Sequence, residues 1–249
     1  MPGAGECDRC DGRGWIVDRD RGAGSARRCP CSFDVRRRAL LASLAIPPKY
    51  AMASLDGFRT DHQDADVAAT LLSAKAVSRR YLDHFLDDRT GELRTSGLVY
   101  VGPPGGGKTH LATAVLRAVV TDYAVTGRFV DFTDFLARVR STYAQGSDER
   151  TEEVISPLLR VRVLVLDELG AQKPTDHTVE TLYRVINTRY TQRLPTIFTS
   201  NYRFERDVPA SLHSRLAAPL ISRILEMAHQ VPVGGWDYRA EVLRYRAAP

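Results

Sequence analysis

The segment from Gly102 to Thr109 combines glycines, a lysine and a hydroxyl in a spacing that suits phosphate binding. It fits the pattern G-x-x-x-x-G-K-[ST] and stands between an apolar run and a stretch of helical periodicity. The glycines let backbone N–H groups close around phosphate oxygens, and the next helix adds its positive end. The lysine then reaches the β- and γ-phosphates, and the hydroxyl ligates Mg²⁺. The sequence thus predicts an ATP and Mg²⁺ site at Gly102, Pro103, Pro104, Gly105, Gly106, Gly107, Lys108 and Thr109.

Polar residues end two further apolar runs. Asp167 and Glu168 follow Val-Leu-Val-Leu at 163–166, and Asn201 follows the run at 196–199. The carboxyl ends of parallel strands are where such sheets bind ligands. We expect Asp167 to hold the Mg²⁺ shell and Glu168 to orient a water towards the γ-phosphate. Asn201 is expected to sense that phosphate or fix the attacking water.

All four cysteines lie within the first 31 residues, as C-x2-C and, after eighteen intervening residues, C-x-C. Two close pairs of thiolates suit tetrahedral zinc, and four protein ligands leave no open position, so the site would be structural. Two disulfides or four unrelated thiols are the alternatives. A reducing compartment disfavours the first, and the absence of cysteine after position 31 disfavours the second. The predicted zinc ligands are Cys7, Cys10, Cys29 and Cys31.

Short apolar runs alternate with helical stretches along the chain, which predicts a parallel α/β sheet with helices on both faces. The predicted strands are 98–101, 128–132, 161–166, 196–199 and 230–233. The predicted helices are 33–44, 64–86, 108–122, 133–144, 149–159, 176–191 and 211–228. We divide the chain into a zinc-binding docking module (1–45), a linker (46–63) and an ATPase domain (64–249).

The composition, 43% hydrophobic and 26% charged over 249 residues, is typical of a globular protein. The chain has no apolar run of about 18 residues, so no membrane-spanning helix is expected. Its start also lacks a basic-then-apolar secretory pattern, which favours the cytoplasm. The net charge of +5 is weak evidence for a polyanionic partner.

Together the motifs resemble the AAA+ ATPases, and within them the DnaC/DnaI-type replicative helicase loaders and the related IstB-type transposition ATPases. The similar segments include Gly-Lys-Thr-His-Leu-Ala (107–112), Val-Leu-Asp-Glu-Leu-Gly (165–170), Tyr-Arg-Val-Ile-Asn-Thr-Arg-Tyr (183–190), Pro-Thr-Ile-Phe-Thr-Ser-Asn (195–201), Ile-Ser-Arg-Ile-Leu-Glu-Met (221–227) and Trp-Asp-Tyr-Arg (236–239). At the amino-terminal end, Arg-Arg-Cys-Pro-Cys (27–31) and Ile-Pro-Pro-Lys-Tyr (46–50) are also similar. The resemblance implies a P-loop AAA+ core.

The resemblance also implies roles for single residues. Asn201 corresponds to the sensor of the γ-phosphate, and Arg223 to an arginine finger that reaches the ATP of a neighbouring subunit. Arg215 is the competing finger candidate. Arg239 corresponds to a second phosphate-sensing arginine, and His110 belongs to the segment that follows the phosphate loop.

The stretch after the second strand corresponds to a helical element that lines a single-strand channel in loaders and initiators. Basic and aromatic side chains bind phosphates and stack on bases, which makes Arg138, Arg140 and Tyr143 the candidates for single-stranded DNA. An ordinary amphipathic crossover helix is the alternative. Only 48 residues follow Asn201, too few for a separate helical lid of about 70 residues.

We therefore expect an ATPase that loads a replicative DnaB-type helicase onto single-stranded DNA in the cytoplasm of a bacterial or phage-infected cell. It would assemble as a homo-oligomer through the arginine finger, and the zinc module would bind the helicase. An IstB-like ATPase that regulates a transposase is the first alternative. A non-hydrolysing adaptor clamped by ATP is the second.

Overall fold

The protein is built around a five-stranded parallel sheet with helices on both faces. The computed structural model describes residues 7, 10, 15–18, 25–87, 90, 92, 96–144 and 148–241. The sheet contains β3 (Gly97–Val101), β4 (Gly127–Asp131), β5 (Val163–Asp167), β6 (Thr196–Ser200) and β7 (Ala228–Pro232). Its strand order is β4-β5-β6-β3-β7, and every neighbouring pair is parallel. The five-stranded parallel α/β fold expected from the sequence is confirmed.

The helices fill the connections between strands, as parallel pairing requires. They are α1 (Pro30–Ala42), α2 (Ala65–Asp83), α3 (Lys108–Tyr123), α4 (Phe132–Ala144), α5 (Asp148–Arg160), α6 (Asp176–Thr191) and α7 (Ala218–Met227). Short 3₁₀ helices occur at Pro48–Tyr50 and Leu212–Ser214. A two-stranded antiparallel ribbon, β1 (Trp15–Asp18) and β2 (Ser25–Arg28), lies between the two cysteine pairs. Sequence reasoning did not predict this ribbon.

Two hydrophobic clusters cover the two faces of the sheet. On one face, α2 and α3 bury residues such as Leu71, Leu111 and Leu116. On the other, α4 to α7 bury residues such as Phe135 and Ile224. Strands β5 and β6 are buried along their whole length, because helices cover both of their faces. This three-layer packing fixes the carboxyl ends of the central strands, where the predicted site residues lie.

One predicted helix is wrong. The sequence predicts a single helix over 211–228, but the structure has a 3₁₀ turn at Leu212–Ser214, a break, and then α7. Pro219 lies in the first turn of α7. A proline ring clashes with the carbonyl four residues earlier, so a helix cannot continue through Pro219 from the preceding turn. The chain after β6 therefore forms the 3₁₀ turn, one ten-residue helix, β7 and a helical turn at 238–241, and its described part has no lid.

The end of α1 contacts an edge of the sheet. Phe129 in β4 donates its backbone N–H to the carbonyl oxygen of Leu44 at 2.7 Å, and the Leu44 side chain is fully buried. Gly127 allows this approach, because a Cβ there would lie 3.0 Å from Leu44 Cδ2. Within the described residues, no helix combines the length and apolar character needed to cross a membrane.

Candidate nucleotide-binding site

The phosphate loop joins the end of β3 to the start of α3. Gly105 and Gly107 adopt φ angles of +84° and +89°, a left-handed conformation that favours glycine. Gly107 is also the N-cap residue, directly before the 16-residue α3. A side chain there would meet Phe58, whose Cε2 would lie 2.6 Å from the added Cβ. The backbone N–H groups at the start of α3 are thus held open towards the cleft as donors for an anion.

Lys108 and Thr109 follow at the first turn of α3. The Lys108 side chain is largely buried, and its Nζ donates to the carbonyl oxygen of Pro103 at 2.7 Å. Burial lowers the pKa of Lys108 to about 8, although the nearby Asp167 carboxylate opposes this shift. The Thr109 hydroxyl donates to Asp167 Oδ2 at 3.1 Å. The structure therefore brings Lys108, Thr109 and Asp167 into one group, as their spacing in the sequence predicts.

Asp167 ends β5 and is only 4% exposed. Its Oδ1 accepts a hydrogen bond from the Thr199 hydroxyl at 2.6 Å, so both carboxylate oxygens have a hydroxyl partner. Burial raises the pKa of Asp167 to about 6, and the two hydroxyls limit the rise. Carboxylate and hydroxyl oxygens are ligands that Mg²⁺ accepts, so Thr109 and Asp167 could hold this ion.

Glu168 differs from Asp167 in its backbone conformation and in the exposure of its side chain. Its φ angle is +59°, which is uncommon for a residue with a side chain. Its backbone N–H donates to Thr199 Oγ1 at 2.9 Å, and this bond helps to hold the strained conformation. The Glu168 side chain is exposed and lines the cleft, together with Asn201 from the end of β6. Because β6 lies between β5 and β3, Asn201 stands beside both the carboxylates and the phosphate loop.

The cleft encloses about 380 Å³ above the phosphate loop. Its walls come from two segments distant in sequence, residues 49–59 and 236–239. Arg59 joins them, with its Cζ 5.8 Å from the Trp236 ring centroid and 5.7 Å from that of Tyr238. Arg239, which sequence reasoning proposed, lines this cleft. So do wall residues that it missed, namely Lys49, Tyr50, Phe58, Arg59, Trp236 and Tyr238.

His110 lies at the margin between the phosphate loop and the first wall. Its Nε2 is 2.9 Å from the carbonyl oxygen of Ser54, and its ring centroid is 5.8 Å from that of Phe58. His110 lines the cleft as expected from its place after the phosphate loop. These contacts connect α3 to the wall segment, so His110 supports the position of Phe58 against Gly107.

Neither arginine-finger candidate is among the described residues that line the cleft of its own subunit. Arg223 lies on α7, and its Nε donates to Asn187 Oδ1 on α6 at 2.9 Å. Its Cζ is 4.8 Å from the Tyr183 ring centroid, a distance typical of a cation–π contact. Arg215 makes a similar contact with Tyr202 at 4.6 Å.

The candidates for single-stranded DNA lie on α4. Arg138 is exposed, whereas Arg140 is partly buried and its Nη2 donates to Gln172 Oε1 at 3.2 Å. Phe135, Leu136 and Val139 pack into the core, as an amphipathic helix would place them. The side chain of Tyr143, the third candidate, lies outside the described residues.

The four cysteines form a compact cluster at the start of α1. Their Sγ atoms all lie within 4.8 Å of one another, and no disulfide joins them. The Cys7–Cys29 and Cys10–Cys31 Sγ distances are 3.7 and 3.3 Å. Tetrahedral zinc with bonds of about 2.3 Å separates its sulfur ligands by about 3.8 Å, so this cluster could hold zinc. Burial raises the pKa of the Cys29 thiol, and hydrogen bonding with Cys10 raises that of Cys31.

Comparison with known proteins agrees with this geometry. The family described as IstB-like ATP binding protein matches residues 52–245, which include every residue that lines the cleft except Lys49 and Tyr50. The chain belongs to this ATP-binding family. Its members bind ATP, and the match covers both the phosphate loop and the wall segment at 236–239.

Relatives of the chain include proteins of phages, insertion sequences and replication. The phage-like element PBSX protein XkdC of Bacillus subtilis (strain 168) is 24% identical over 89% of this chain and 79% of its own length. An ATP-binding protein of insertion sequence IS21 from Pseudomonas aeruginosa is 30% identical over 61% of this chain and 55% of its own. The crystal structure of the DnaC helicase loader superimposes with a TM-score of 0.61 and 30% identity. That comparison covers 75% of this chain and 99% of the other.

Proposed function

We propose that the protein is an ATPase that loads a replicative DNA helicase onto single-stranded DNA. The observation that carries the proposal is that the phosphate loop and Glu168 line one cleft, with the buried Asp167 bonded to Thr109, in a chain that also holds a four-cysteine cluster. The similarity to the DnaC helicase loader supports the replicative role. Such a loader would act in the cytoplasm, where its helicase and ATP are present.

Hydrolysis would use residues from three strand ends. Lys108 and the N–H groups of the phosphate loop would bind the β- and γ-phosphates, while Glu168 would orient a water and accept its proton. The water oxygen then bonds to the γ-phosphorus as the bond to the bridging oxygen breaks, which yields ADP and phosphate. Bound Mg²⁺ supplies charge neutralisation, and Thr109 and Asp167 would hold it. Asn201 and Arg239 would contact the γ-phosphate from the two sides of the cleft.

Assembly would complete the site. Arg223 of a neighbouring subunit would supply positive charge to the transition state, because the chain's own finger candidates lie outside its cleft. Arg215 is the alternative finger. In the assembled protein, Arg138, Arg140 and Tyr143 of successive subunits would contact single-stranded DNA.

The cysteine module would serve as the helicase dock. We assign it residues 1–45, with 46–63 as the linker and 64–249 as the ATPase domain. Zinc bound by all four cysteines would be structural, because four sulfur ligands leave no coordination position for a substrate. Elemental analysis of the purified chain is therefore expected to find equimolar zinc.

The IS21 relatives favour one other function, an ATPase that regulates a transposase. The ATPase core is common to both functions, so ATP turnover does not distinguish them. The cysteine cluster favours the loader, because the amino-terminal segment that contains it resembles loaders at Arg-Arg-Cys-Pro-Cys (27–31). A non-hydrolysing adaptor would bind ATP without turning it over.

A helicase-loading assay tests the proposal. The full chain is mixed with a replicative helicase from its host, ATP and single-stranded DNA coated with binding protein, and unwinding of a downstream duplex is measured. We expect the chain to accelerate unwinding, and the Glu168→Gln variant to bind ATP without hydrolysing it and to arrest loading. No effect on the helicase, combined with binding to a transposase, would favour the regulator. Full ATP turnover by Glu168→Gln would refute the role of Glu168.

A further inference from the structure

Thr199 contacts both carboxylate residues, although no part of the proposed mechanism uses it. It lies in β6, two residues before Asn201, and is 1% exposed. Its hydroxyl donates to Asp167 Oδ1 at 2.6 Å and accepts the backbone N–H of Glu168 at 2.9 Å. Its carbonyl oxygen also accepts the backbone N–H of Leu169 at 2.8 Å. Three consecutive residues of the catalytic strand end are therefore tied to this threonine.

These bonds begin where the strand pairing ends. The paired residues of β5 and β6 run as far as Leu166 and Phe198. Beyond that pair the two strand ends are joined through Thr199, while Ser200 adds a hydrogen bond from its hydroxyl to Leu169 O at 2.7 Å. Asn201, which follows β6, is thus connected to the Asp167 carboxylate through two residues of backbone and the Thr199 hydroxyl.

The hydroxyl also sets the rotation of the carboxylate. A buried carboxylate can turn about its terminal torsion, which is broad, unless both oxygens have partners. Here the Thr109 hydroxyl donates to Oδ2 and the Thr199 hydroxyl donates to Oδ1, so both oxygens have partners. Without the Thr199 donor, Oδ1 would be a buried acceptor lacking this partner, and the carboxylate would have a reason to turn.

We propose that Thr199 is a positioning residue of the nucleotide site, which orients Asp167 for Mg²⁺ and couples it to the γ-phosphate sensor Asn201. The proposal depends on the proposed function only in that ATP binds together with Mg²⁺. It predicts that removal of the Thr199 hydroxyl weakens Mg²⁺-dependent binding of ATP more than it weakens binding of ATP without the metal. Partners that orient a metal ligand typically change metal affinity by about 10–100-fold when they are removed.

The test measures how binding of a fluorescent ATP analogue to the full chain depends on Mg²⁺ concentration. Thr199→Val keeps the shape of the side chain and removes the hydroxyl. We expect the Mg²⁺ concentration for half-maximal binding to rise about tenfold or more, with unchanged affinity in the presence of a chelator. Thr199→Ser retains the donor and is expected to titrate like the wild type. If Thr199→Val does not fold, Thr199→Ala is titrated in its place.

Thr196→Val is the matched control. Thr196 is equally buried in the same strand, and its hydroxyl accepts from Arg189 Nε at 2.8 Å, far from the cleft. This variant is expected to lower the melting temperature without moving the Mg²⁺ midpoint. A Thr199→Val variant that only melts earlier and keeps the wild-type midpoint overturns the inference. Failure of the wild type itself to bind ATP overturns the proposed function instead.

Discussion

Lys108 and Asp167 carry opposite charges in a part of the protein from which water is largely excluded. Burial moves the pKa of each towards its neutral form, to about 8 for the lysine and about 6 for the aspartate. Their shifts show that mutual attraction does not offset the loss of hydration. The site is therefore electrostatically strained until a phosphate and a cation enter it, and this strain should be measurable as lost stability.

Lys108→Met is expected to stabilise the protein at pH 7 while abolishing ATP binding. The folded pKa of about 8 lies below the usual lysine pKa of 10.5, so this destabilisation is full at pH values below 8 and declines as the pH rises towards 10.5. Allowing for partial solvation and the lost hydrogen bond to Pro103, the gain in the free energy of unfolding is about 1–2 kcal/mol.

Urea denaturation of both proteins at pH 7 and pH 9.5 measures this gain. The difference should shrink at pH 9.5, because folded Lys108 is then mostly neutral while the unfolded lysine still binds its proton, so the wild type has lost part of its penalty. The absence of a melting-temperature increase with ATP confirms that the variant no longer binds the nucleotide. A variant less stable than the wild type at pH 7, or an equal difference at both pH values, contradicts the argument.

Among single residues, the sequence identifies only those whose role follows from the spacing of nearby residues. The phosphate loop, the carboxylates and Asn201 are recognisable because each follows directly from a strand end. Thr199 lies inside the family-like segment 195–201, yet its role depends on the direction of its side chain relative to Asp167. Phe58, Arg59 and Trp236 were missed because they meet only when segments distant in sequence pack together, and no periodicity marks such contacts.

Among the elements, the last turn of α6 anchors the surrounding loops through Arg189. This side chain is 1% exposed, and the guanidinium donates to five acceptors. The acceptors are the carbonyl oxygens of Leu158, Val161, Arg162 and Pro195 and the hydroxyl of Thr196. Burial lowers the pKa of Arg189, so the neutral acceptors must offset the loss of water. Arg189 thereby joins the end of α5, the start of β6 and α6.

Arg189→Met should lower the free energy of unfolding by about 3 kcal/mol or more, because it leaves several buried carbonyls without their donor. Arg189→Lys should not restore stability, since an ammonium has only three donors and lacks the planar fork. Arg184→Met on the same helix is the control. Its ion pair with Glu152 is about half exposed, so the expected loss is below about 1 kcal/mol.

Urea denaturation gives the stabilities, and ATP titration of the folded fraction gives the affinities. We expect the affinity of Arg189→Met for ATP to stay near that of the wild type, because Arg189 does not line the cleft. Equal losses of stability for Arg189→Met and Arg184→Met would show that the buried network contributes little.

The incorrect prediction of one helix over 211–228 shows why helix boundaries cannot be predicted from hydrophobic spacing alone. Leu212, Leu216, Leu220 and Ile224 are spaced by four residues, and all of them are buried. The spacing is therefore kept across the break, because the 3₁₀ turn and α7 pack against the same hydrophobic cluster. Hydrophobic periodicity reports the buried face and not the continuity of the backbone, which Pro219 interrupts.

At the scale of the whole molecule, the surface formed by α6 and α7 carries the Arg223 guanidinium, which does not line the cleft of its own chain. Asn187 and Tyr183 hold the Arg223 guanidinium at this surface, and Tyr190 lies 5.9 Å from it. Tyr183 and Leu225 beside it are 37% and 40% exposed. A head-to-tail assembly would bring this surface to the cleft of the next subunit, where Arg223 would face the phosphates.

Mixing two inactive variants tests this arrangement. Lys108→Met keeps the finger and loses its own ATP site, whereas Arg223→Ala keeps the site and loses the finger. Each alone is expected to hydrolyse ATP at least about 100-fold more slowly than the wild type. In an equal mixture, about one interface in four joins an intact site to an intact finger, so about a quarter of the wild-type rate per subunit should return.

Steady-state ATP turnover across a series of mixing ratios measures the recovery, and sedimentation confirms that both variants still assemble. Arg215→Ala is the control, and it should retain activity because it leaves the proposed finger Arg223 in place. If Arg215→Ala is the inactive variant and Lys108→Met rescues it, then Arg215 is the finger. Assembly without any recovery in the Arg223→Ala mixture would mean that each subunit hydrolyses ATP with its own residues. Recovery that peaks at equal amounts requires a site shared between two chains, because neither variant has a complete site within one chain.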